Sequence, residues 1–350
     1  MTGIARATAA GVIGVCLVVG TVAAPSRGGA DEGPVARLTR ALAAEEAQEG
    51  GTSPYLLPLI EELAQAQRRD GALGEAAALR RRALDIAAAA FGCDSASAAE
   101  AMAALALIDI DRRRYLDAEP LLIVAEQVLA TRVAADQPAL ATIFAGRARI
   151  ALARGETGPA EAWASRALAI AKRNPHGRSA EALRTLGAVL TTEEHFAKAE
   201  QVLTEALAQD RRQHGASGED TARGLAQLAK LYLRQGKAGD ALPLLEEAAA
   251  IDQSRLGPTH PFIADDLHDL GLAYDALRRD EEARRAFGAA LDILERGAGR
   301  ETPRVAYAEI ELSRLYRQSG NDAAAEAAFR NARRILNKAE AEEHRRERNV

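Results

Sequence analysis

Large core-filling side chains are scarce in this sequence. Aromatic residues make up 4% of its 350 positions, with one tryptophan, and methionine occurs twice. A chain so composed packs helices closely through small residues instead of around bulky ones. Cysteine also occurs only twice. Removal of an N-terminal segment would leave Cys93 alone, which rules out an internal disulfide framework. Cys93 follows Gly92 in a predicted loop and reads as incidental, with intermolecular pairing as its alternative. Long β-branched runs are missing after the first two dozen residues, and the rest of the chain is dominated by Ala, Leu, Arg, Glu and Gln, the strong helix formers. This composition implies an all-α fold. Charge of one sign is not concentrated either: the formal net charge is -5 and Lys/Arg alternate with Asp/Glu. That excludes a nucleic-acid surface and an acidic tail. Catalytic motifs are missing too, with no Walker loop, Gly-x-Ser-x-Gly elbow, His-Glu-x-x-His pair or paired cysteines at zinc spacing. The chain reads as non-enzymatic and without a cofactor or metal.

The first 24 residues differ from the rest. Arg6 supplies a positive n-region, Ala9 to Val22 an uncharged apolar h-region, and Thr21-Val22-Ala23 or Val22-Ala23-Ala24 small residues for cleavage. Pro25 disfavours a cut after Ala24, so Ala23 is preferred, with Ala30 as a later option. The uncharged run from Ala7 to Ala24 just suffices to span a bilayer, so an uncleaved membrane anchor is the alternative. Cys16 stands behind bulky Val15, unlike a lipid-modification box. The expectation is export, to a periplasmic or extracellular location.

Self-similarity organises the remainder. Small residues recur at Ala64, Ala106, Ala148, Gly187, Ala229, Gly271 and Ser313, at spacings of 42, 42, 39, 42, 42 and 42. Twelve residues past each anchor stand Ala76, Ala118, Ala160, Ala199, Ala241, Ala283 and Ala325. Nineteen past stand Ala83, Ala125, Ala167, Ala206, Ala248, Ala290 and Ala332. Each unit therefore reads as two antiparallel helices: an anchor in helix A lets helix B approach, and the two alanines give helix B its matching surface. Gly71, Gly155, Gly236 and Gly320 lie seven past their anchors, where a helix end needs a left-handed residue. Gly92, Gly215, Gly257 and Gly299 end helix B, and Pro138, Pro261 and Pro303 suit the first turn of the next helix A. The expected fold is a right-handed α-solenoid of about seven tandem antiparallel helix pairs. Residues 1–24 form the signal peptide or anchor, 25–54 a linker and capping helix (Val35 to Ala47), 55–336 the array, and 337–350 a charged helical tail. The short interval places a deletion near Asn174-Pro175-His176-Gly177.

The junction Leu256-Gly257-Pro258-Thr259-His260-Pro261-Phe262-Ile263-Ala264, followed by Leu267, Leu270-Gly271, Tyr274 and Ala283, resembles tetratricopeptide repeats. The 42-residue period resembles their kinesin-light-chain-type variant. Leu228-Ala229-Lys230-Leu231-Tyr232, with Gly236-Lys237 and Ala241, repeats the pattern. The match is weaker around Ala106 and Ala148, where Arg147 replaces the apolar residue before the anchor.

The resemblance implies that the A helices line a concave groove that binds a protein or extended peptide. Its groove positions map here onto Arg68, Arg69, Arg149, Arg184, Lys230, Arg234, His268, Arg314 and Arg317, against Glu61, Asp111 and Asp275. Eight Lys and Arg thus oppose three anions, which favours an acidic segment or terminal carboxylate. Leu107 and Ile110 add an apolar stretch. The paired Asn and Lys of a two-carboxylate clamp are not reproduced. Asp265, His268 and Asp275 share one helical stripe but lack a further ligand for a metal. Trp163 reads as core packing. A structural alternative to the binding scaffold is a self-assembling or membrane-tethered envelope component, whose membrane contact would run only through an uncleaved N-terminal segment. The oligomeric state is left open.

Overall fold

The computed structural model describes residues 33–132, 138–173, 179–297 and 301–347, which form helices and no strand. The leader or anchor at 1–24, the deletion at Asn174 to Gly177, and Gly299 lie outside these residues. A capping helix α1, Pro34–Glu49, and a single 3-10 turn, Pro54–Leu56, precede seven helix pairs. The pairs are α2 (Leu57–Arg69) with α3 (Leu73–Phe91), α4 (Ala96–Asp111) with α5 (Tyr115–Arg132), and α6 (Pro138–Ala153) with α7 (Thr157–Arg173). They continue as α8 (Ser179–Thr192) with α9 (Phe196–His214), α10 (Glu219–Arg234) with α11 (Ala238–Leu256), α12 (Pro261–Ala276) with α13 (Asp280–Gly297), and α14 (Pro303–Gln318) with α15 (Asp322–Glu347). Helix α15 runs unbroken past residue 336 into the charged tail.

Close approach through small residues builds the array. All fourteen alanines of the two helix-B columns are buried, as are Ala64, Ala106, Ala148, Ala229 and Ser313 among the anchors. Buried Leu, Ile and Phe side chains fill the space between turns, including Leu122, Leu203, Leu245 and Phe287 sixteen residues past their anchors. Where that residue lies tightest against helix A, the anchor has lost its side chain. A Cβ on Gly271 would come within 2.7 Å of the Phe287 ring, closer than packed atoms sit. Ser313 is tolerated because its hydroxyl donates to the Ala325 carbonyl at 2.8 Å.

The turn between helices A and B has one conformation throughout. Gly71, Gly155, Gly236 and Gly320 have φ of 74, 76, 74 and 76°. The same position in the other three repeats is Arg113, Glu194 and Arg278, at φ 58, 60 and 59°. These three residues hold a left-handed conformation that side chains disfavour. Tertiary packing thus imposes the turn even where glycine is missing.

Candidate functional site

Direct contact between successive A helices (α4 with α6, α6 with α8, α8 with α10, α10 with α12) makes them the inner wall of the array. A cavity of about 530 Å³ opens on that wall, lined from α2 across α4, α6 and α8 to α10. That volume falls in the range of ligand-sized clefts, about 300–1,000 Å³. Alanines 103, 104, 141, 145 and 182 and Leu107 form its apolar surface. Ile110, expected beside Leu107, is instead buried in the core between α4, α5 and α6.

Of the nine expected basic groove residues, Arg68, Arg69, Arg149 and Arg184 meet at this cavity, while Lys230, Arg234, His268, Arg314 and Arg317 do not line it. Arg68 Nε donates to Asp111 Oδ2 and Arg149 to Asp111 Oδ1, each at 2.7 Å. One carboxylate on α4 thereby ties together α2 and α6. Burial pushes the Asp111 carboxyl up, but Arg149 and Arg68 outweigh it and hold it below the ordinary carboxylate value. Arg184 is buried, donating to Asp210 at 2.5 Å and Asp220 at 3.2 Å. It is a packing residue between repeats and presents no free charge to the groove.

Lys230, Arg314 and Arg234 are also paired. Lys230 lies 2.9 Å from Asp269, Arg314 lies 2.8 Å from Asp275 and 3.1 Å from Glu311, and Arg234 lies 3.6 Å from Glu194. Arg317 is exposed, and His268 packs its ring on Phe287 with centroids 5.3 Å apart. The expected surplus of eight cations over three anions does not describe the cavity. Its lining holds six arginines and six carboxylates. The groove positions that the resemblance supplies leave out Asp210 and Asp220, which neutralise Arg184. Asp269, omitted too, neutralises Lys230 outside the cavity.

Asp265, His268 and Asp275 do not converge: Asp265 pairs with Arg304 and Asp275 with Arg314. Among the described residues no group of three or more His, Cys, Asp or Glu is placed to hold a metal. Trp163 is half-buried between α6 and α7, stacked on Phe144 at 5.4 Å, with Arg147 lying 3.9 Å from the ring centre. Arg147 also pairs with Glu126, so the residue that interrupts the apolar column bridges α5, α6 and α7. Arg80 is a second exception. It is buried at a position that is Leu or Phe in five other repeats, and it pairs with Glu61 at the cavity. Burial lowers its pKa to about 10, so it is still charged at neutral pH.

Residues 178–254 and 220–296 match the family model of the tetratricopeptide repeat, and these residues run from α8 to α13. The chain carries tetratricopeptide repeats. Their period is 42 residues in all but one interval. No curated protein matches the sequence. Among solved structures, a Rap protein complexed with competence and sporulation factor is 13% identical, with 87% of this chain and 99% of that one covered, at a TM-score of 0.57. BtubC (BKLC) from P. vanneervenii is 20% identical over 69% of this chain and 92% of its own, at 0.50. A putative kinesin light chain from Podosopora anserina, with nearly identical TPR-like repeats, is 21% identical over 58% and 98%, at 0.46. At such identities the first two show the fold alone, an all-α solenoid. In the tetratricopeptide array the 178–296 match falls on the repeats with the fullest junctions, and the cavity reaches from them back to α2.

Proposed function

We propose that this chain is an exported, non-catalytic scaffold that binds a protein or extended peptide on the concave face of its repeats. The observation that carries the reading is the cavity formed by five successive A helices, with an alanine wall set between fixed ion pairs. Because those pairs satisfy each other, recognition rests on shape and apolar side chains, with hydrogen bonds from Arg68 and Arg149 at the edge. A net acidic partner is not required. The Rap protein of similar fold was solved in complex with competence and sporulation factor, so an array of this architecture can hold a partner. Export rests on Arg6 and the apolar run from Ala9 to Val22.

Selection of random dodecapeptides on the purified array tests the binding face. Replacing Ala141 with Trp fills the cavity wall and is expected to weaken selected peptides at least tenfold. Affinities unchanged by Ala141→Trp would place binding elsewhere. N-terminal sequencing of the protein from its native host tests export, and a mature start at Ala24 is expected. An intact Met1 in a cytosolic fraction would count against it.

A further inference from the structure

Repeat arrays normally bring each unit against its neighbours only, yet here the first repeat touches the start of the sixth. The turn between α2 and α3 lies against the loop before α12, about 190 residues later in the chain. A side chain at Gly71 would stand 2.8 Å from His260 Nε2 and 2.9 Å from Pro261 Cδ. Beside it, Arg69 lies 3.9 Å from the Glu219 carboxylate at the start of α10. His260 is buried, and its Nδ1 accepts the Phe262 N–H at 3.2 Å, capping α12. That bond puts the ring proton of the neutral imidazole on Nε2. Nε2 is buried without a hydrogen-bond partner, and the carbonyls of Arg69 and Asp70 at the end of α2 lie close to the ring.

The contact is small. It consists of a glycine backbone against one imidazole and one proline, plus a long ion pair between exposed Arg69 and half-buried Glu219, which Arg223 also holds. The donor on His260 has acceptors within reach of a small closing movement. The groups it joins belong to the cavity: Arg69 of α2 and Glu219 of α10 both line it.

We propose that the α2–α3 turn and the His260–Pro261 loop form a latch that closes the array across its groove, and that opening it widens the way into the cavity. The latch itself is independent of what binds. Its role in admitting a polypeptide rests on the groove-binding reading above.

Distance measurement between spin labels tests the latch without any ligand. Glu75→Cys and Thr259→Cys, both exposed, are labelled in a full chain carrying Cys16→Ser and Cys93→Ser. A single narrow distance is expected. Arg69→Glu, which repels Glu219, combined with His260→Asn, which keeps a cap for Phe262 N–H, is expected to lengthen and broaden it by at least 5 Å, with unchanged helical circular dichroism. A broad distribution in the parent, or one that the two substitutions leave unchanged, overturns the latch. Thr142→Cys on the cavity wall then reports access. Unlatching is expected to speed its labelling by a 5-kDa polyethylene-glycol maleimide at least fivefold while N-ethylmaleimide reacts as before. Equal polymer rates in latched and unlatched chains overturn the gating role. Failure to select any peptide would sink the binding reading and leave the distance result standing.

Discussion

Replacing Asp266 with Asn is expected to stabilise the array at neutral and alkaline pH. Asp266 sits on α12, 8% exposed, with Oδ2 buried and without a hydrogen-bond partner. Burial and then the charges of Asp252, Asp269 and Asp265 push its pKa up from 3.8 to about 8, against the weaker opposing pull of Lys230. At pH 7 the folded chain therefore holds a proton on Asp266 that the unfolded chain releases. The folded pKa is the raised one, so the contribution is fully favourable below about pH 4 and is lost as pH climbs towards 8. At about 1.4 kcal/mol per pH unit, the ceiling of that loss is about 4 kcal/mol at pH 7. Water reaching the carboxyl and movement of its neighbours reduce the effect, and about 1–2 kcal/mol is expected. Asn has the same size and stays neutral.

Urea midpoints by circular dichroism at pH 5, 7 and 8.5 check this. Wild type is expected to lose stability from pH 5 to 8.5 and the Asn variant to lose clearly less. Asp252, raised to about 6 chiefly by burial, adds a smaller loss between about pH 4 and 6 in both proteins. Parallel profiles, or an Asn variant less stable at pH 8.5, would refute the reasoning. Repeat arrays unfold with limited cooperativity, so the comparison holds only where the transition slopes agree.

Three further outcomes are expected. Gly271→Ala drives a methyl into the fully buried Phe287 and is expected to cost about 1–3 kcal/mol despite alanine's better helix propensity. Adding Phe287→Leu is expected to restore the midpoint, because Ala106 with Leu122 and Ala229 with Leu245 already occur in this chain; no recovery would count against steric conflict as the cause. Arg278→Gly relieves a left-handed φ of 59° and is expected to raise stability by about 0.5–1 kcal/mol, whereas a lower melting temperature would show that the side chain contributes more than the strain costs. Arg184→Glu sets a third carboxylate against Asp210 and Asp220 and is expected to cost about 3–5 kcal/mol. Arg317→Glu, at an exposed position, is expected to stay within about 0.5 kcal/mol, and equal melting curves for these two variants would contradict the assigned burial.

The fold was legible because close helix packing restricts the residue at a contact point to Gly, Ala or Ser, and such a restriction survives as a column. Ala76 and Ala83 with their equivalents mark where α3 and the other B helices meet A helices, and all are buried. Turn positions were half legible. Gly71, Gly155, Gly236 and Gly320 announce the left-handed residue, but Arg113, Glu194 and Arg278 adopt it under packing that no local preference reveals. Groove residues were legible as a face and not as partners. Spacing along α8 puts Arg184 on the inner side, yet whether it meets solvent depends on Asp210 from α9 and Asp220 at the start of α10. The approach of Gly71 to His260 was illegible, since a repeat register encodes neighbours and says nothing of the curvature they accumulate.

The small residues that made the fold readable also bear on the site. A wall of alanines between Asp111 with its two arginines and Asp210 with Arg184 leaves room that larger side chains would have filled. Moving either set of charges disturbs the packing of adjacent repeats, so charge reversal in this groove confounds binding with stability. Enlarging an alanine on the wall subtracts volume while leaving the ion pairs intact. Ala141→Trp is for this reason the sharper probe: loss of peptide binding with an unchanged urea midpoint assigns the loss to the cavity, whereas the same loss after Arg184→Glu would be explained by the array coming apart.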